Sequence, residues 1–154
     1  MAEGGSAGGL LMGAVANIAP DAFAGIVAAV PFVDALTTIL DPSLPLTVIE
    51  WTSWGNPLDD PEVYAYMKSY TPYENVGRPR LSRHLGCHQL ARHPRDVRRA
   101  GQVGRPARAT ATGKAPILLK TEMHAGHGGV SGRYASWKER AWGLAWIIDT
   151  ANQA

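Results

Sequence analysis

The apolar positions of this chain fall into short runs separated by Gly, Pro and Asp. Residues 9–18 suit a short buried helix, with a stop and a restart at Pro20 and Asp21. Residues 25–32 (GIVAAVPF) are apolar without alternation, so the strand they predict is buried on both faces, as parallel strands are. Residues 33–40 (VDALTTIL) predict another short helix. Trp51, Trp54 and the run Gly55, Asn56, Pro57 predict a packed loop. Asp60, Pro61 and Glu62 place Pro at the first helical position with acids around it, predicting a helix to about Tyr70. Residues 116–120 (PILLK) predict a short strand, and residues 123–129 a Gly- and His-rich loop. A long amphipathic helix is predicted from about Ser131, with Tyr134, Trp137, Ala141, Leu144, Ile147 and Ile148 near helical spacing. Strand and helix candidates alternate, which argues for an α/β layered fold with a mainly parallel sheet.

Residues 78–108 break this texture. They hold nine arginines, three histidines and three prolines, and follow neither a strand nor a convincing helix period. Charge separates along the same boundaries. Residues 1–77 carry nine acids and one base, residues 78–108 nine bases and one acid, and residues 109–154 five bases and three acids. The formal net charge of +2 is therefore the residue of a steep internal split.

Composition narrows the field further. At 154 residues and 45% apolar, the chain is the size of one ordinary domain and can bury a core. No run of about 18 apolar residues is present, so no membrane span is expected. A single cysteine, Cys87, excludes a disulfide framework and a multi-thiolate zinc site. The start carries Glu3 rather than a basic segment before its apolar stretch, unlike a secretory signal, and a cytoplasmic protein is expected.

The sharpest motif is Gly4, Gly5, Ser6, Ala7, Gly8, which matches G-x-S-x-G, the nucleophile elbow of α/β-hydrolases. A tight strand-to-helix turn needs the glycines, and the Ala7 amide can donate to an oxyanion. A flexible Gly-rich tail is the competing reading of these five residues. The helix candidate that follows favours the elbow, because the motif requires a helix there. His124 and His127 lie between a strand and a helix candidate, with small neighbours that let an imidazole approach a serine. A surface loop histidine is the bland alternative, and two histidines with only Glu122 nearby make a poor metal site. The order Ser6 then His127 is the hydrolase order, with an acid expected between them. Glu50 alone would read as a solvated surface acid. The arginine run would ordinarily read as a patch for nucleic acid or an acidic partner, but it lacks interleaved aromatics.

Three long stretches carry a much more specific signal. Residues 4–47 (GGSAGGLLMGAVANIAPDAFAGIVAAVPFVDALTTILDPSLPLT), 50–76 (EWTSWGNPLDDPEVYAYMKSYTPYENV) and 115–142 (APILLKTEMHAGHGGVSGRYASWKERAW) resemble the C-terminal catalytic region of the oligopeptidase B (protease II) type within the prolyl oligopeptidase family of serine peptidases. The resemblance spans 2–77 and 109–152 nearly continuously. It implies a partial α/β-hydrolase fold, the C-terminal half of a catalytic domain, acting on short peptides after Arg or Lys. It puts Ser6 on the nucleophile, His127 on the general base and Glu50 on an acid that contacts the basic P1 side chain. A carboxylate facing a guanidinium suits that selectivity. Thr52 stands where such peptidases tend to have a second acid. No cofactor or metal is implied, and the partners expected are short basic peptides rather than nucleic acid or membrane.

The departure is again residues 78–108, where the family has a strand and then the catalytic aspartate. Codons permitted by residues 80–103, read after dropping one nucleotide, give GYPAILVATSLPDT followed by RVMYVEPAKW. That string holds a buried strand (AILVATSL) with an acid at its end. Residues of about 78 to 108 are therefore expected to be an out-of-frame translation, poorly structured, with no acid assignable to the triad and Asp96 nearby only by accident. Three readings follow: a serine peptidase by ancestry, a catalytically inactive fragment or pseudogene product, and a basic binding module using 78–108.

Overall fold

The computed structural model describes residues 1–76, 85–90, 117–122, 129 and 131–153, and of 85–90, 121 and 122 only the backbone. In chain order the elements are β1 (Ala2–Gly5), α1 (Ala7–Ile18), β2 (Ile26–Ala29), α2 (Ala35–Ile39), α3 (Thr47–Trp54), α4 (Pro61–Tyr70), a 3-10 turn (Tyr73–Asn75), β3 (Leu85–Leu90), β4 (Ile117–Glu122) and α5 (Arg133–Asn152). The four strands form one sheet in the order β1-β2-β3-β4, every neighbouring pair parallel. Gly5 pairs with Ala29, Ala28 with Cys87, and Cys87 with Leu119. Parallel neighbours need crossovers rather than hairpins, which is why helices separate β1 from β2 and β2 from β3 in sequence.

Helix α1 holds two cores together. Met12 and Ala16 pack with Ile26, Ala28 and Ile117 against the sheet. Leu10 instead joins Ala35, Leu36, Ile39 and Met67, surrounded by Phe32, Trp51, Trp54, Val63 and Tyr70. β2 is buried along Ile26–Ala28, as its unbroken apolar run requires. It ends at Ala29 because Val30 turns to φ +40 and Pro31 follows.

Three expectations change. The packed loop around Trp51 and Trp54 is the end of helix α3. Thr47 Oγ1 donates to the Thr38 carbonyl at 3.0 Å and Trp51 Nε1 to the Ile39 carbonyl at 3.0 Å, so α3 is tied to the end of α2. Gly55 then stops it at φ +88, where a Cβ would lie 2.7 Å from Val63 Cγ1. The amphipathic stripe expected on α5 is largely in solvent: Tyr134, Trp137, Leu144 and Ile148 are exposed, and only Thr150 of this helix is buried. Polar pairs fasten it instead. Lys120 on β4 meets Glu139 at 2.9 Å, and Arg140 grips Glu3 on β1 with both arms of its guanidinium. Within the arginine-rich block, Leu85–Leu90 is a strand between β2 and β4, although it has no strand period. Its two ladders supply the order that its side-chain pattern does not. The rest of 78–108 lies outside the described residues. Among those described, no helix is long and apolar enough to cross a membrane.

Candidate active site

The site starts at the turn between β1 and α1. Ser6 stands there at φ 56, ψ −118, a backbone conformation that side-chain-bearing residues rarely adopt. Three backbone hydrogen bonds hold it. Its N–H donates to Ala29 O at 3.0 Å, and its carbonyl accepts from Leu10 N and Phe32 N, both at 3.1 Å. The strained residue is thereby fixed on three sides: to the end of β2, to the first turn of α1, and to the segment after β2. Val30, the neighbour of Ala29, is itself a β-branched residue at φ +40, so backbone strain is concentrated at this corner.

The glycines divide into those the corner needs and one it does not. A Cβ on Gly4 would sit 2.4 Å from Gly8 O and 2.9 Å from Met12 Cγ. A Cβ on Gly9 would sit 2.6 Å from Pro31 Cα and 3.1 Å from Ala29 O. A Cβ on Gly8, the last glycine of the motif, would meet nothing within 4 Å. Close approach of α1 to β1 and to Pro31 therefore rests on Gly4 and Gly9. Ser6 is exposed at the start of α1, and Ala7 is the first residue of that helix. The opening amides of a helix have no intrahelical partners and carry the positive end of its dipole, which suits a developing oxyanion.

Glu50 is half-buried on α3. Its Oε2 accepts a hydrogen bond from Trp54 Nε1 at 2.7 Å, one helical turn further on. The Trp54 ring packs edge-on to Phe32, with centroids 5.7 Å apart. Phe32 in turn donates its N–H to Ser6 O. A short chain of contacts thus links Glu50 to Ser6 through two aromatic residues. The Trp54 partner went unrecognised in the sequence, although a Glu and an indole four residues apart can meet once the segment is helical. Thr52 is exposed and spends its hydroxyl on the Ile49 carbonyl at 2.9 Å.

His124 and His127 lie outside the described residues, as does Asp96. The structure therefore links Ser6, Ala7 and Glu50 through one chain of contacts, while the histidines expected to supply a general base lie outside the described residues. Among the described residues, no group of three or more His, Cys, Asp or Glu could hold a metal ion. Two side chains near this framework are electrostatically perturbed. Hydrogen bonding and charge from Glu3 raise the Arg140 pKa, and burial with a smaller effect of Tyr66 raises that of Tyr70.

Comparison with known proteins gives a consistent answer. The model of the prolyl oligopeptidase family matches residues 1–154. Protease 2 of Moraxella lacunata is 49% identical, with 96% of this chain and 21% of that protein covered. Dipeptidyl aminopeptidase BI of Pseudoxanthomonas mexicana is 44% identical, covering 96% and 20% respectively. Among solved structures, oligopeptidase B from Leishmania major superposes with a TM-score of 0.88 at 41% identity, over 97% of this chain and 21% of that one. The chain thus spans about a fifth of the length of these relatives.

Proposed function

The chain belongs to the prolyl oligopeptidase family of serine peptidases, and on that premise we propose that it carries the nucleophile corner of an α/β-hydrolase peptidase that cleaves short peptides after Arg or Lys. The observation that carries the proposal is Ser6, strained at φ 56, ψ −118 between a strand and a helix and pinned by three backbone hydrogen bonds. Strain of this kind persists where the surrounding structure over-determines it, and it clusters at active sites.

In this reading the Ser6 Oγ attacks the scissile carbonyl while His127 takes the hydroxyl proton. The carbonyl oxygen gains negative charge next to the Ala7 amide. Collapse of the tetrahedral intermediate breaks the C–N bond, and His127 returns the proton to the leaving amine. Water then attacks the acyl ester by the same route, freeing the acid and restoring Ser6. Glu50 receives the basic side chain on the acyl side of the cut bond. We read the protein as cytoplasmic, in keeping with the expectation set out from its sequence.

A fluorophosphonate probe tests the proposal. Ser6 Oγ bonds to phosphorus and fluoride leaves, so the soluble wild-type chain is labelled and Ser6→Ala is not. Soluble, folded wild-type protein that takes up no label rejects catalysis by this chain.

That negative outcome is the expectation of a second reading, in which this chain is an inactive fragment. The charge break favours it: nine arginines occupy residues 78–108, where the family places a strand followed by its catalytic acid. Loss of the acid alone typically lowers kcat by about 10⁴ with the rest of the site intact. Sequencing the locus, together with mass spectrometry of peptides from 78–108, separates an altered gene from a reading error. Salt-sensitive nucleic-acid binding that vanishes on deleting 78–108 would instead support a basic binding module.

A further inference from the structure

We infer that Trp54 is a positioning residue for the Glu50 carboxylate, holding it oriented and uncompensated for a cationic side chain. The inference rests on the reading above, that Glu50 receives the basic group of the substrate. It goes beyond that reading by naming what sets the selectivity of the carboxylate.

Three observations support it. First, the indole is a donor without an acceptor or a charge. It bonds Glu50 Oε2 at 2.7 Å, the short range of hydrogen bonds to an ionised acceptor. A lysine or arginine in that place would orient the carboxylate too, but would neutralise it against an incoming cation. Among the described residues Glu50 makes no ion pair and has no other side-chain hydrogen bond.

Second, the two tryptophans of α3 use their donors differently. Trp51 bonds a backbone carbonyl, that of Ile39, and so ties α3 to α2. Trp54 sits at the last position of the same helix, half-buried with its ring on Phe32. Its ring completes the packing, yet its N–H goes to a side chain four residues back rather than to the framework.

Third, Phe32 ties this pair to the nucleophile. The residue that supports the Trp54 ring also donates its N–H to Ser6 O. A rigid indole between Phe32 and Glu50 therefore fixes the carboxylate relative to Ser6, where a free Glu side chain would sample several rotamers.

The test uses the whole chain and benzamidine as the guanidinium-like probe. Benzamidine binding is measured by calorimetry for wild type, Glu50→Gln and Trp54→Phe, with circular dichroism as the check on folding. Phenylalanine keeps an aromatic ring against Phe32 and removes the donor together with the five-membered ring that carries it. The expected order is binding by wild type, about tenfold weaker binding by Trp54→Phe, and none by Glu50→Gln. Equal binding by wild type and Trp54→Phe, with Glu50→Gln inert, overturns the positioning role while the basic-pocket reading survives. Undiminished binding by Glu50→Gln, or none by wild type, overturns the pocket reading and the inference with it. A second readout does not depend on ligand or on the Phe variant folding. The Trp54 indole N–H proton, assigned in a nitrogen-15 NMR spectrum, should lie downfield in wild type and move upfield in Glu50→Gln. An indole resonance that ignores the Glu50 substitution also overturns the inference.

Discussion

Gly4 and Gly8 flank Ser6 in the same motif, yet the structure gives them opposite tolerances. A methyl group on Gly4 would lie 2.4 Å from Gly8 O, 2.8 Å from Gly8 C and 2.9 Å from Met12 Cγ, where ordinary contact begins near 3.4 Å. Two of the three atoms are backbone, so no side-chain rotation relieves the clash. Strand β1 and helix α1 must separate by roughly 1 Å, and overpacking of this kind costs about 1–3 kcal/mol. The upper half of that range applies, because the obstacle is main chain. For a chain of this length each kcal/mol lowers the melting temperature by about 2–4 °C, so Gly4→Ala should melt about 5–10 °C below wild type. Gly8→Ala adds a methyl group to open space inside a helix, where Ala is favoured over Gly by up to about 1 kcal/mol. It should melt at or slightly above the wild-type temperature. Thermal unfolding followed by circular dichroism reads both. Fluorophosphonate labelling should slow in Gly4→Ala, which displaces the start of α1 beneath Ser6, and persist in Gly8→Ala. A Gly4→Ala variant as stable as Gly8→Ala would refute the close approach of β1 and α1 on which the corner is built.

Four further outcomes follow from other parts of the chain. Ser6→Gly should be more stable than Ser6→Ala by about 1–2 kcal/mol in urea titrations, because φ 56, ψ −118 strains any residue with a Cβ; equal midpoints would mean the corner is unstrained. Asp60→Ala should cost about 1 kcal/mol by the same measurement, since Asp60 Oδ1 accepts from Glu62 N at 2.8 Å and Val63 N at 3.3 Å at the start of α4. Burial and then Tyr66 raise the Tyr70 pKa, so the folded chain holds the phenol proton more tightly than the unfolded one. That contribution is complete below the usual tyrosine pKa of about 10 and is lost as pH rises through the higher folded value; Tyr70→Phe should flatten this alkaline fall in the urea midpoint. Replacing residues 80–103 by GYPAILVATSLPDTRVMYVEPAKW should raise the yield of soluble protein and the rate of fluorophosphonate labelling; a restored chain that precipitates as the original does would argue against the alternative frame.

Most of the fold was legible because the sequence is locally consistent. Helix α1 and strand β2 are runs of apolar residues with a turn between them, and α4 announces itself through Asp60 and Pro61. Helix α3 was hidden for a physical reason. It is eight residues long, holds two threonines and a valine, and stops at Gly55 one residue after Trp54, so a helix and a packed loop look alike in composition. Its order comes from the Thr47 and Trp51 bonds to α2, which are tertiary. The stripe on α5 misled in the opposite direction: its spacing is helical, but its apolar residues are not what fastens it to the described structure. At the candidate site, Ser6 and Ala7 are proposed from five residues, whereas Glu50 was marked only by family resemblance. Trp54 was missed because its partner is defined by the helix and not by the motif.

Strand β3 shows how the chain can be ordinary in architecture and anomalous in sequence at once. It lies between two parallel neighbours, so both of its edges are paired and its place in the sheet is that of an internal strand. Internal parallel strands flanked by helices are apolar on both faces, as β2 is along Ile26–Ala28. The residues in β3 are Leu85, Gly86, Cys87, His88, Gln89 and Leu90, of which two are strongly polar. The alternative frame assigns LVATSL to the same six positions, with no gap or shift, and places an aspartate at position 92, just past the strand's end. In open parallel sheets, ligands bind beyond the carboxyl ends of the strands. Ser6 follows the end of β1, and the end of β2 holds it through Ala29. In the alternative frame the order along the chain would be Ser6 after β1, an aspartate after β3 and His127 after β4. The frame that makes the strand apolar is also the frame that would supply an acid after it, so one out-of-frame block, opened by a shift near residue 78 and closed by a compensating one near 108, would account for the charge split and for the lack of an assignable acid together.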